Sequence, residues 1–135
     1  MPPLVAPKGR LGESRANERR LGVRNELKVI ADFYDFMLYL IQRVEKFPRH
    51  HRYSLGIAIE NRLQDLLAML LRAQFTRDRH GILKECNIQL DVLRYQLRLA
   101  GDLKTLPLKS QGHAIQRMKE LGAQIGGWAR RGPET

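Results

Sequence analysis

Apolar residues recur at intervals of three and four from residue 26 to residue 131, and the breaks between runs predict four amphipathic helices. The first is predicted to start after Asn25, a side chain suited to an N-cap, and to run to about Lys46, stopped by Pro48. Leu27, Ile30, Tyr34, Met37, Ile41 and Val44 form its stripe, and Phe33, Phe36, Leu40 and Phe47 form a second set on a neighbouring face. From Phe33 to Ile41 only Asp35 is charged, so this helix is apolar over more of its circumference than one core requires. Such breadth predicts burial on two sides, one of them against another subunit.

The second helix is predicted from Ser54 to about Phe75, with Leu55, Ile59, Leu63, Leu66 and Leu70 as its stripe and Leu67, Met69 and Leu71 widening it. The third, capped by Thr76 or Asp78, carries Leu83, Cys86, Leu90, Leu93, Leu97 and Ala100 in the alternation of a heptad seam. The fourth follows Pro107, a residue favoured in a first helical turn, and points Ile115, Met118, Gly122, Ile125 and Ala129 inward. Its Gly112, Gly122, Gly126 and Gly127 each cost about 1 kcal/mol relative to alanine, and Gly122 with Gly126, one turn apart, would let another helix approach closely. Trp128 beside them would anchor that end or plug the core. Short connections make sequential helices antiparallel neighbours. The fold class is therefore all-α, an antiparallel up-and-down four-helix bundle filling residues 26–131 as one domain, with a C-terminal tail at 132–135.

Charge adds a partner to this scaffold. The 135 residues hold 24 Lys and Arg against 14 Asp and Glu, a formal net charge of +10. An excess of this sign points to nucleic acid more often than to anionic membrane. Residues 1–25 are punctuated by Pro2, Pro3, Pro7, Gly9, Gly12 and Gly22, and they set six basic side chains against two acidic ones. A segment so poor in large apolar side chains is expected to be a disordered basic tail. The alternative is an arm that orders on a polyanion, with a short helix over Ser14 to Arg20. The bundle keeps a positive charge without it.

The basic residues gather in clusters. Arg43, Lys46, Arg49, His50, His51 and Arg52 crowd the first connection, opposed only by Glu45. Arg77, Arg79, His80 and Lys84 begin a ridge on helix three, Arg94 and Arg98 form a pair one turn apart, and Lys109, His113 and Arg117 repeat every four residues on helix four. Ridges of this kind suit the phosphates of RNA, and of DNA by the same contacts, because each neutralised phosphate releases a counterion. Most of the aromatics are read as lying on apolar stripes rather than among the basic residues. Binding is accordingly expected to follow backbone and shape more than sequence.

Catalytic chemistry finds no footing. His50 and His51 are adjacent in a predicted loop, a poor geometry for a shared metal, and no Cys or carboxylate cluster joins them. Cys86 lies on the core seam as a small hydrophobe and cannot form an intrachain disulfide. Asp32 and Asp35, with Glu85 and Asp91, lack the Glu-x-x-His spacing of di-iron bundles. There is no glycine-rich phosphate loop and no nucleophile elbow. We expect no enzyme, no cofactor, no metal and no membrane span, and a cytoplasmic location.

Four segments together carry a family resemblance. They are the run Glu45-Lys46-Phe47-Pro48-Arg49-His50-His51-Arg52-Tyr53-Ser54-Leu55-Gly56, the downstream Arg62-Leu63-Gln64, the end of helix three at Leu99-Ala100-Gly101-Asp102-Leu103-Lys104, and Ile125-Gly126-Gly127-Trp128. Over about residues 26–131 the chain resembles the accessory variability determinant (Avd) proteins of diversity-generating retroelements, relatives of the bundles encoded in ribosomal RNA intervening sequences. The resemblance implies a basic homopentamer of four-helix bundles that binds nucleic acid and associates with the retroelement reverse transcriptase to support mutagenic cDNA synthesis. The tail and Pro107 have no counterpart in that pattern. An intervening-sequence-type bundle, or an oligomeric adaptor for an acidic protein with no reverse-transcriptase partner, remains the alternative.

Overall fold

Every position of the seam Leu83, Cys86, Leu90, Leu93, Leu97 and Ala100 is buried, so the third helix turns one face to the core as its periodicity predicts. The computed structural model describes residues 25–131; the basic segment before them, with the short helix considered over Ser14 to Arg20, and the tail 132–135 lie outside the described residues. Among the described residues there are four long helices and no strand: α1 (Asn25–Val44), α2 (Ile57–Gln74), α3 (His80–Asp102) and α4 (Leu108–Arg130). α1 packs on α2 and α4, and α3 packs on α2 and α4, which closes a four-helix bundle around one core.

The core differs from the sequence expectation on α1. Phe33, Phe36, Leu40, Val44 and Phe47 are buried with Val29, whereas Ile30, Met37 and Ile41 are only partly covered and Tyr34 is 57% exposed. The set read as secondary is the one that faces the bundle, because the phenylalanines offer the larger area to remove from water. α4 shows the same kind of shift: Ala114, Leu121 and Trp128 join Met118 and Ile125 in the core, while Ile115, Gly122 and Ala129 sit at its margin. Trp128, 1% exposed, plugs the core within a helix that continues to Arg130.

Helix starts are also corrected. The second helical run opens at Arg49 rather than Ser54, as one α-turn (Arg49–His51) and a π-turn (Arg52–Gly56) leading into α2. Pro48 has the extended ψ of 150° that precedes a helix, so it both closes α1 and starts the next run. Thr76 does not cap α3; its hydroxyl donates to the Arg72 carbonyl at 2.6 Å and so belongs to the end of α2. Arg79, not Asp78, occupies the position before α3. At the other end of α3, Lys104 adopts the left-handed conformation usually left to glycine, φ 60°, and Thr105 N–H donates back to the Ala100 carbonyl at 2.8 Å. That tight reversal buries Leu106 and delivers Pro107 to the start of α4.

Polar contacts fix the helices in register. Arg62 of α2, half-buried, donates from Nε to Gln96 Oε1 at 3.0 Å and from a guanidinium NH₂ to Gln89 Oε1, both on α3. Asp32 of α1 accepts from Gln124 of α4 at 3.0 Å and from Lys28 at 2.6 Å. The glycines of α4 are not required by a close approach: Asn87 of α3 donates to the Gly122 carbonyl at 3.4 Å, yet Cβ atoms on Gly122 and Gly126 would stand 3.5 and 3.7 Å from Asn87, ordinary van der Waals contact.

Candidate nucleic-acid interface

The joint between α1 and α2 is built by packing beneath and charge above. Phe47 and Gly56 are buried, and a Cβ on Gly56 would stand 2.9 Å from Val44 Cγ1, so the chain re-enters the bundle at closest approach here. With that floor fixed, Lys46, Arg49, His50, Arg52 and Tyr53 are exposed, His51 and Arg43 are half-buried, and Glu45 is the acidic side chain among them. The four histidine and arginine positions read as a loop are thus helical or at the π-turn, with His50 and His51 ring centroids 4.2 Å apart. The turn Arg49–His51 carries no acidic residue, which leaves its positive side chains against the positive end of a helix dipole. Lys46, Arg49, Arg52 and Lys109 form no ion pair among the described residues.

Tyr39 ties this joint to α4. The Arg43 guanidinium lies 4.8 Å from its ring centroid and the His113 ring meets it edge-on, also at 4.8 Å. Arg43 and His113, assigned to separate clusters from sequence, therefore share one tyrosine, and Lys109 stands exposed one turn before His113. Arg117 does not continue the ridge outward; it is half-buried in a small cleft with Asp32, Glu120 and Gln124.

Two tyrosines do lie among arginines, as exceptions to the placement expected for most of the aromatics. Arg52 lies 5.8 Å from the Tyr53 ring, and Arg94 and Arg98 lie 5.2 and 6.0 Å from Tyr95. Tyr53 and Tyr95 are 66% and 57% exposed. Both escaped sequence reasoning because periodicity ranks a tyrosine by its stripe, yet adjacency was available as a signal in Arg52-Tyr53 and Arg94-Tyr95. Arg94 also pairs with Asp91 at 3.1 Å. Tyr95 sits within a line of exposed apolar side chains, Ile88, Val92, Tyr95 and Leu99 on α3 with Leu103 just past its end. α1 and α2, from which a subunit interface was expected, expose fewer: Tyr34 and Leu38 on one, Ile57 and Leu71 on the other.

The start of α3 is a separate region. Arg77, His80 and Lys84 are exposed there, and His80 Nδ1 lies 3.5 Å from the Ala129 carbonyl. Arg79 is not offered to solvent: it is 8% exposed, with its guanidinium 5.5 Å from the Trp128 ring. Its planar cation covers the indole and seals the end of the core.

The carboxylates go to separate partners. Asp32 serves Lys28 and Gln124, Glu85 accepts from Gln89 at 2.7 Å, and Asp91 holds Arg94. Among the described residues no group of three His, Cys, Asp or Glu side chains is placed to hold a metal ion. Burial pushes the Cys86 thiol up to about 12, Glu85 adding to the effect and Arg72 opposing it, so it is neither a thiolate nucleophile nor a ready ligand. No helix among the described residues is long and apolar enough to cross a membrane.

Comparison with known families decides the assignment. The profile of the bAvd-like family matches residues 27–132, the whole bundle. The chain belongs to the bAvd-like family. No curated protein and no solved structure matches it to a comparable standard. The bAvd-like match begins two residues into α1 and leaves the basic N-terminal segment outside it, as the resemblance of the four sequence segments implies.

Proposed function

We propose that this bAvd-like protein is a non-catalytic accessory subunit of a diversity-generating retroelement, which binds template RNA through phosphate contacts and associates with the reverse transcriptase during mutagenic cDNA synthesis. The observation that carries this is the family match over a bundle whose α1–α2 joint presents exposed cations that form no ion pair among the described residues. Phosphate is the chemistry that Lys46, Arg49, Arg52 and Lys109 fit, with His50, His51, Arg43 and His113 beside them. The chemistry of polymerisation belongs to the transcriptase, and the cytoplasm is where the two would meet.

The helices run up and down in antiparallel order on this reading, supported by pairs whose numbers fall on one helix as they rise on the next: His80 with Ala129, Asn87 with Gly122, Asp32 with Gln124 and Tyr39 with His113. The chain assembles into a homo-oligomer, a pentamer by family resemblance. The apolar line Ile88, Val92, Tyr95, Leu99 and Leu103 supports self-association, since it would otherwise stand in water along most of α3. Arg94 and Arg98 then flank a subunit contact, and the start of α3 is left as the second basic face.

Charge reversal tests the RNA reading. Arg49→Glu with Arg52→Glu should weaken RNA binding at low salt and flatten the slope of log K against log salt by about 1.4 or more, at roughly 0.7 per lost phosphate contact on a single strand. Helicity and assembly should not change, because both side chains are exposed. Unchanged affinity and slope would remove this joint from nucleic-acid binding.

A further inference from the structure

Tyr53 holds an unusual place for an aromatic residue. It stands in the middle of an unbroken helical run, yet it is 66% exposed. The π-turn accounts for this: the extra residue between Arg52 and Gly56 lets Gly56 drop into the core against Val44 and Phe47 while Tyr53 stays on the outside. Exposure of a ring costs free energy unless something covers it, and among the described residues the cation over this ring is the Arg52 guanidinium, 5.8 Å from its centroid. Tyr39 makes the contrast. It is half-buried between Arg43 and His113, and so it positions those two groups rather than offering a ring.

Building on the nucleic-acid reading above, we propose that Tyr53 is a stacking platform for an unpaired base, and that this end of the bundle binds single-stranded RNA in preference to duplex. Three features fit that ligand. The Tyr53 ring is free to take a base face, and base faces are open only where bases are unstacked. Arg49 and Arg52 lie one turn and one residue before it, where the phosphates of a stacked nucleotide and its neighbour need cations. The exposed His50 ring, tilted against His51 with centroids 4.2 Å apart, adds a second aromatic surface along the same turn. A duplex would meet the same cations but leave the tyrosine unused.

The test compares two RNAs of equal phosphate number on the full chain, a labelled oligouridine and a blunt duplex, by fluorescence anisotropy across a salt series. Tyr53→Ala should lower single-strand affinity by about five- to tenfold, as loss of one base–aromatic stack does, with duplex affinity and both salt slopes unchanged. Tyr53→Phe should bind like the parent chain. No loss in Tyr53→Ala, or an equal loss on both RNAs, would overturn the platform. Arg49→Glu, read in the same assay, separates the two levels: weakening on both RNAs alongside an inert Tyr53→Ala removes only the platform, whereas no effect of Arg49→Glu on either RNA removes the nucleic-acid reading beneath it.

Discussion

Replacing Gly56 by alanine tests the packing that holds the basic joint in place. The added methyl would lie 2.9 Å from Val44 Cγ1, 3.5 Å from the His51 carbonyl oxygen and 3.6 Å from Phe47 Cδ2. Val44 is 2% exposed and β-branched, so its χ1 has little room to yield. Overpacking of this sort costs about 1–3 kcal/mol, and the better helix preference of alanine returns about 1 kcal/mol. A net loss of up to about 2 kcal/mol follows, which for a domain of this size lowers Tm by as much as roughly 7 °C. Val44→Ala alone should cost about 1–3 kcal/mol for its lost methyl groups. The double variant should be more stable than the sum of the singles by about 1 kcal/mol, because the shortened side chain no longer meets the new methyl. Urea unfolding followed by circular dichroism at 222 nm measures all four corners of the cycle. Additive single effects, or a Gly56→Ala chain more stable than the parent, would refute the close approach and with it the reason Tyr53 and Arg52 are held outward.

Two further predictions come from other parts of the bundle. The unfolded Cys86 thiol ionises near 9.0 while the folded one keeps its proton to about 12, so in that window the unfolded state binds fewer protons and stability falls as pH rises, by about 1.4 kcal/mol per unit. Cys86→Ala should lack this slope when urea unfolding is repeated across alkaline pH, and identical slopes would mean that the thiol is less buried than it stands here. Val92→Glu with Leu99→Glu, both at exposed positions on α3, should shift the chain toward monomer by light scattering with helicity kept, and an unchanged mass would place self-association on another face.

How much of this was legible in the sequence depended on how many faces each helix had to satisfy. α3 was read position by position because its seam alternates strictly and polar residues separate it from the outer apolar line. α1 was misread because it is apolar nearly all round, and periodicity finds two stripes there without saying which meets α2 and α4. On α4 the spacing allowed two faces one residue apart, and the larger area of Leu121 and Trp128 decided between them. Pro48 was taken as a stop when its geometry also makes it a start, and Thr76 as a cap when its hydroxyl turns back to Arg72. The basic clusters were plain from charge alone. The packing of Arg79 over Trp128 and the sharing of Tyr39 by Arg43 and His113 were not, since both join residues far apart in the chain.

The proposal of an accessory subunit with an electrostatic RNA face is tested by co-purifying the tagged full chain with a co-expressed retroelement reverse transcriptase and a template RNA, with and without nuclease, across a salt series. The account predicts transcriptase association that survives nuclease, and RNA retention that falls steeply as salt rises. Retention of neither partner by a chain that stays folded and oligomeric would contradict it, and would favour the intervening-sequence type of bundle or an adaptor for an acidic protein.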